Sequence, residues 1–338
     1  MDLLLKQLLI DENNNDKSLY SSGDYWVKKN IKTIYHLKNK NLENFRGMNS
    51  GVGTSFADNI VINIENEINL LGRLIFNFFK LPFLKHLHKK QVEITKSHAK
   101  DHLRSLSILY KNSSKVKELI KKYKFENTVN YGCCQKFSIG GIEYSNLYLE
   151  IANRIDNISK FQDFKSFNSF FEIGGGFGAN VDFLLTNFPN IKKIIYLDAV
   201  PNIYIGTTYL REKYKSSVID YLQTKELDKL QFSNNNNLEI FCIAPWQIEK
   251  LNIKIDHFHN AASFVEMPKH IVKNYLKYIF KNNLKSMSLV SYSLYDPNTT
   301  FDPYKLNEFF ENKLDSHEFP TAVPDLGRKD IYLIKKNS

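Results

Sequence analysis

A mostly apolar run, Phe170 to Ile173, ends in the glycine cluster Gly174-Gly175-Gly176-Phe177-Gly178, and a helix-compatible segment begins at Ala179. Strand, glycine turn and helix N-terminus in that order make the corner of an α/β sheet at which nucleotides sit. Glycine lets the backbone pass close to a ligand that a Cβ would keep away. A second strand-like run, Ile194 to Leu197, ends in Asp198, and a carboxylate there can accept the hydroxyls of a ribose. The corner implies a nucleoside cofactor.

The rest of the C-terminal part fits the same kind of sheet. Strands are expected at 170–173, 194–197, 238–243, 253–259, 286–293 and 330–335, with helices at 179–187, 202–215, 268–281 and 305–312 between them. Such alternation predicts a mostly parallel sheet with helices on both faces. Its last strand, near Ile331–Ile334, is expected to run antiparallel. Ligands of such sheets bind at the carboxyl ends of the strands, where Gly174, Asp198, Ala244 and Asn260 all fall. Residues before about 138 read as helical and loop-rich, with apolar residues at helical spacing over 63–79 and 92–124. The glycine-punctuated stretch Gly132–Gly141 marks the expected boundary between a helical region, 1–138, and a cofactor domain, 139–338.

With 338 residues and 43% hydrophobic content, the chain can build a substantial core. A formal charge of +10 invites a nucleic-acid reading, yet only six of the 46 basic residues are Arg. Arg is the residue suited to forked phosphate and guanine contacts, so no nucleic-acid partner is expected. Weak attraction to a membrane face stays open, but the greasiest segment, Ile68 to Leu84, carries Arg73, Lys80 and Pro82 and is poorly suited to span a bilayer. Asp2 stands where a secretion signal needs positive charge, and Cys133, Cys134 and Cys242 form no CxxC pair. A cytoplasmic location is expected.

Two cofactors compete for the glycine corner. Gly174-x-Gly176-x-x-Ala179 with Asp198 beyond it fits a relaxed nicotinamide-dinucleotide fingerprint, which would make the chain an NAD-dependent sugar dehydrogenase or epimerase. Such enzymes commonly carry the corner near the chain start, with a Tyr-x-x-x-Lys pair on a helix. Tyr209-x-x-x-Lys213 and Tyr221-x-x-x-Lys225 come too soon after the corner for that role, and Tyr332-x-x-x-Lys336 falls in the expected last strand. Glu172-x-Gly174-x-Gly176-x-Gly178 instead resembles, at every position, the acid-x-Gly-x-Gly-x-Gly motif of class I methyltransferases. An acid beside a sulfonium or ammonium is favourable, whereas beside a diphosphate it is repulsive. Glu172 therefore favours S-adenosylmethionine.

The downstream sequence resembles a narrower family. Ala244-Pro245-Trp246, and then Asn260-Ala261-Ala262-Ser263-Phe264-Val265-Glu266-Met267, are similar to the sugar O-methyltransferase family of bacterial polysaccharide gene clusters. There a Pro-or-Ser-Trp turn follows the third strand, and an Asn-x-x-Ser-Phe-x-Glu-Met segment follows the fourth. Asn44-Phe45-Arg46 corresponds to the N-terminal Phe-Arg signature, while Phe177 and Ala179 depart from the expected Tyr and Gly. The resemblance implies a Rossmann-like class I methyltransferase fold and a sugar or glycan acceptor. It implies a cofactor site at Glu172, Gly174, Gly176, Gly178, Asp198, Ala199, Trp246 and Asn260. A nucleic-acid methyltransferase is the other alternative, but the Asn-Pro-Pro-aromatic or Asp-Pro-Pro-aromatic segment of base-amine enzymes is missing after the fourth strand.

Methylating a hydroxyl requires removal of one proton, and Glu266, just past the fourth strand, is the first base candidate. Its plainer role would be a carboxylate at a helix start. His259 is the second base candidate, and His257, deeper in the strand, reads as a satisfied core histidine. Asp198 could also serve simply as a helix cap, and Trp246 could lie in the core as readily as against adenine. His98 and His102 are one helical turn apart, but the companion carboxylate of a metal motif is missing. No metal is expected, and His98, His102, Arg104 and Arg46 are read as sugar or phosphate contacts.

Overall fold

The computed structural model describes residues 2–39, 107–126, 136–293, 300–322 and 328–335, with single positions at 42, 45, 46, 78, 86, 87, 90, 131 and 132. Three N-terminal helices come first: α1 (Leu3–Asn14), α2 (Lys17–Tyr20) and α3 (Asp24–Asn39). Asp2 caps α1 by accepting from the Leu4 and Leu5 amides. The helical stretch expected over 92–124 lies mostly outside the described residues. Its visible end is interrupted at Ser113, whose hydroxyl caps α4 (Ser114–Lys122). The segment 63–79 falls almost entirely outside them as well. The Gly132–Gly141 break ends in the turn of a β-hairpin, whose strands β1 (Phe137–Ile139) and β2 (Ile142–Tyr144) flank Gly140–Gly141.

From there the chain enters α5 (Asn146–Ile158) and an eight-stranded sheet. Its strands are β3 (Ser169–Ile173), β4 (Lys193–Leu197), β5 (Val218–Ile219), β6 (Glu239–Ile243), β7 (His257–Ala261), β8 (Ser286–Tyr292), β9 (Asp315–Pro320) and β10 (Lys329–Lys335). Their spatial order is β5-β6-β4-β3-β7-β8-β10-β9. All neighbours up to β8 pair in parallel, and β10 pairs antiparallel with both β8 and β9. This is the mostly parallel, Rossmann-like sheet with an antiparallel last strand that was expected. Edge strand β9 was not foreseen. Its sequence, Asp315-Ser316-His317-Glu318-Phe319-Pro320, is too polar to read as a strand. Where a helix was expected at 305–312, a 3₁₀ helix runs over Pro303–Phe310, its first turn capped by Asp302.

The central strands are buried on both faces, as parallel strands under helices should be. Even-numbered residues such as Phe170, Ile194, Tyr196 and Ile240 pack on one face with Ile151 and Ile155 of α5, with α6 (Ala179–Asn187) and with α7 (Asn202–Tyr214). Odd-numbered residues such as Phe171, Ile173, Ile195 and Phe241 pack on the other with Ile271, Val272 and Tyr275. The latter belong to α9 (Lys269–Lys281), which follows the one-turn helix α8 (Tyr221–Thr224). Leu4 and Leu8 of α1 join the first of these cores. Strand order reverses at β3, which has β4 on one side and β7 on the other, so a crevice opens beyond their carboxyl ends.

Candidate active site

A cavity of about 300 Å³ occupies that crevice. Its floor is the glycine turn Gly174–Phe177 with Ala179 and Asn180 of α6. One wall is Leu197, Asp198, Ala199 and Asn202, and the opposite wall is Ala261, Ala262, Ser263, Glu266 and Met267. The roof comes from elsewhere in the chain: Leu147, Ile151 and Arg154 of α5, and Tyr20, Ser21, Ser22, Trp26 and Asn30 of the N-terminal helices and their linker.

The turn is tightly built. Gly174 has φ +76°, and a Cβ there would lie 2.2 Å from the Ser263 hydroxyl. A Cβ on Gly175 would lie 2.4 Å from Oε2 of Glu172, so glycine at 175 makes room for an acid that the strand buries completely. Asn180 donates to Glu172 Oε1 at 2.5 Å, while Oε2 is buried without a hydrogen-bond partner among the described residues. Burial pushes the Glu172 carboxyl up to about 8; the Asn180 bond opposes the shift and the charge of Asp198 adds to it.

Asp198 is held by two backbone amides. Gly176 N–H donates to Oδ2 at 2.8 Å and Ala199 N–H to Oδ1 at 2.7 Å. Each oxygen keeps further lone pairs for a ligand. Asp198 does not cap α7, whose N-cap is Pro201. Its carboxyl is also raised by burial, to about 7, against the pull of those amides. Glu266 accepts from Trp26 Nε1–H at 2.7 Å and from the Tyr292 hydroxyl at 3.4 Å. The close approach of Gly23, where a Cβ would meet the Glu266 carbonyl at 2.4 Å, pins the N-terminal segment over this carboxylate. Trp26 was not singled out in the sequence, because nothing local ties a tryptophan at 26 to an acid 240 residues later.

The expected site residues therefore divide. Gly174, Gly176, Asp198, Ala199 and Glu266 line the cavity, and Glu172 and Gly178 stand directly behind the glycine turn. Asn260 is a buried bracket that donates to the Ile173 carbonyl and the Ser263 hydroxyl and accepts from Phe264 N–H. It holds the ends of β3 and β7 together without lining the cavity. Trp246 is not brought to the cavity either: its N–H donates to the Tyr221 hydroxyl at 3.0 Å, with the rings edge to face. His259 is fully buried on the sheet face, Nδ1 2.9 Å from the Ser288 hydroxyl, and burial drives its pKa down to about 3. Its neighbour His257 lies between the Ser286 and Ser288 hydroxyls, a satisfied core histidine. Arg46 is buried over the Phe177 and Tyr148 rings and donates to Ser145, so it braces the cavity from behind Phe177. His98, His102 and Arg104 lie outside the described residues. Tyr209 and Lys213, the pair of the dehydrogenase alternative, both bond to buried Asp182 and neither lines the cavity.

Two carboxyls, Asp198 and Glu266, thus line one cavity with Glu172 behind its glycine turn, and Arg154 is the cation among its described lining residues. Such a site complements a ligand with net positive charge and repels a diphosphate. The described residues contain no cluster of three or more His, Cys, Asp or Glu able to hold a metal ion, and no described helix is long and apolar enough to cross a membrane.

No family model and no curated protein sequence matches the chain. Among solved structures it is similar to the mitomycin 7-O-methyltransferase MmcR, with 12% identity, 54% of this chain and 53% of that chain covered and a TM-score of 0.38. It is similar to the N,N-8-amino-8-demethyl-D-riboflavin dimethyltransferase of Streptomyces davawensis, with 12% identity, 54% and 53% covered and a TM-score of 0.37. It is also similar to the magnesium protoporphyrin IX methyltransferase of Synechocystis PCC 6803 with bound S-adenosylmethionine, with 9% identity, 58% and 87% covered and a TM-score of 0.36. The match spans about half the length of the first two. At these scores the functional reading rests on the chain's own cavity.

Proposed function

We propose that this chain is a cytoplasmic, S-adenosylmethionine-dependent O-methyltransferase that methylates a sugar hydroxyl, in surface-polysaccharide or nucleotide-sugar assembly. The observation that carries the donor assignment is the buried, unpartnered Oε2 of Glu172 behind the glycine turn of an acid-lined cavity. A buried carboxyl with an empty acceptor position is costly until a donor or cation meets it. The ammonium and sulfonium of the methyl donor supply that partner, and the pyrophosphate of NAD does not. The residues present therefore fit the donor: Glu172 toward the amino-acid part, the glycine turn along the ribose and methionine, and Asp198 toward the ribose hydroxyls.

When bound, the donor supplies a methyl group already activated for in-line displacement. The chain then has to position the acceptor, exclude water and take one proton. Glu266 takes the proton in this reading, its carboxylate oriented by the Trp26 N–H and the Tyr292 hydroxyl. The segment from Tyr20 to Asn30 shields the cavity, which supports the N-terminal region as a cap. His98, His102 and Arg104 remain assigned to the acceptor. The sugar assignment rests on the Asn260–Met267 segment and its resemblance to sugar O-methyltransferases. Transfer of a labelled methyl group to glycans or nucleotide sugars tests it. Glu266→Gln should keep affinity for S-adenosylhomocysteine within about twofold while turnover falls by about 10²–10⁴; unchanged turnover removes Glu266 from the role.

A further inference from the structure

Helix α3 lies over the crevice and is tied to both of its walls. Trp26 and Asn30 stand one helical turn apart, so their side chains leave the same face. Trp26 Nε1–H donates to Glu266 on the β7 side, and Asn30 Nδ2–H donates to the Val200 carbonyl at 2.9 Å on the β4 side. Val27 and Ile31, the next residue in each turn, are exposed. The linker Ser21-Ser22-Gly23 joins α3 to α2, which is held separately. The Leu19 carbonyl accepts from Asn274 of α9 at 3.2 Å, and the Tyr20 hydroxyl donates to Glu249.

Two observations argue that this roof moves. The cavity beneath it measures about 300 Å³, at the lower end of the roughly 300–1,000 Å³ of pockets that take one small ligand. Methyl transfer has to seat a donor and an acceptor there together. The second observation is Asn30 itself, which is buried and lines the cavity, with no hydrogen-bond partner for Oδ1 among the described residues. Its amide cannot be turned round, because the Val200 carbonyl only accepts. The closed, empty roof therefore buries an acceptor that water would satisfy. Opening removes that cost, and so does an N–H of a ligand inside the cavity.

We infer that α3 is a strap, pivoting at Ser21–Gly23, that unlatches from Glu266 and Val200 to admit ligands. An N–H of the bound donor at Asn30 Oδ1 fastens it again. The inference rests on the methyl-donor reading for the identity of that ligand. When the empty and the occupied site are both mostly closed, weakening a latch speeds entry and exit by the same factor and leaves affinity in place. A residue that merely touches the donor would change the exit rate and the affinity together.

Surface plasmon resonance with S-adenosylhomocysteine tests the strap. Trp26→Phe keeps a ring and loses the charge-assisted N–H bond. It should raise association and dissociation rates alike by about tenfold to a hundredfold, with the dissociation constant within about threefold of wild type. Unchanged rates, or a faster dissociation alone, overturn the strap. Trp26 and Trp246 are the two tryptophans of the chain, so Trp246→Phe leaves Trp26 as the sole indole reporter. Adding Glu266→Gln in that background should make Trp26 more open to acrylamide quenching without ligand; unchanged quenching overturns the strap. S-adenosylhomocysteine should reduce the quenching when Glu266 is present, and no reduction overturns the fastening at Asn30. A wild-type protein that binds no S-adenosylhomocysteine sinks the donor reading, while the quenching of the ligand-free Glu266→Gln protein still decides the strap.

Discussion

Glu172→Gln should make the ligand-free protein more stable while ruining its cofactor site. The carboxyl titrates near 4.5 when exposed and at about 8 in the folded chain. Between those values the folded state holds a proton that the unfolded chain has released, so stability falls as pH rises from about 4.5 to 8. At pH 7.5 the gap of about 3 pH units, at 1.36 kcal/mol each, puts the penalty at no more than about 4 kcal/mol. Glutamine is neutral in both states and keeps an oxygen for the Asn180 amide. The variant should therefore melt several degrees above wild type at pH 7.5, with the difference vanishing near pH 4. Because the amide cannot meet a cation, S-adenosylhomocysteine should bind about tenfold or more weakly. Thermal melts from pH 4 to 8.5 with calorimetric titrations provide the assay. A variant less stable than wild type at pH 7.5, a pH-independent difference, or undiminished affinity would each refute the reasoning.

The buried imidazoles act in the opposite sense. His257 and His259 are neutral in the fold, so their contribution is present above the unfolded value of about 6.5 and lost as pH falls below it. His259→Asn should lower the melting temperature and leave the pH dependence of turnover unmoved; an altered pH–rate profile would return His259 to the chemistry. Gly174→Ala combines an unfavourable φ with a contact 2.2 Å from the Ser263 hydroxyl. It should cost more than about 1 kcal/mol of stability and abolish detectable S-adenosylhomocysteine binding, both readable in one melting series. Binding at pH 7 should also release protons, because Glu172 and Asp198 titrate at about 8 and about 7 before a cation arrives. Calorimetry in buffers of different ionisation enthalpy measures that release, and a net proton uptake would contradict it.

The sheet was largely legible because parallel strands buried on both faces leave unbroken apolar runs, as in Phe170–Ile173 and Ile194–Leu197. The glycine turn and Asp198 were legible for the same local reason: each follows directly on a strand. Strand β9 was not, since a polar edge strand carries almost no hydrophobic signal. Glu172, an acid inside an apolar run, pointed to the site before its unpartnered oxygen was visible. The roof of the cavity was hidden. Trp26 and Asn30 reach it from a helix far away in sequence and Arg154 from the helix that precedes β3, and no short motif announces a contact made by packing. Trp246 and His259 show the converse. Position after or within a strand suggested function for both, but only the side-chain direction could reveal that Tyr221 and Ser288 already hold them.

The donor assignment is tested most directly by melting the pure protein with S-adenosylhomocysteine and, separately, with NAD. At a concentration a hundred times the dissociation constant, a ligand bound by the folded state alone adds about 2.7 kcal/mol of stability. A cavity lined by Asp198 and Glu266, with Glu172 behind its glycine turn, should give that upward shift with S-adenosylhomocysteine and none with NAD. Stabilisation by NAD alone would contradict the assignment.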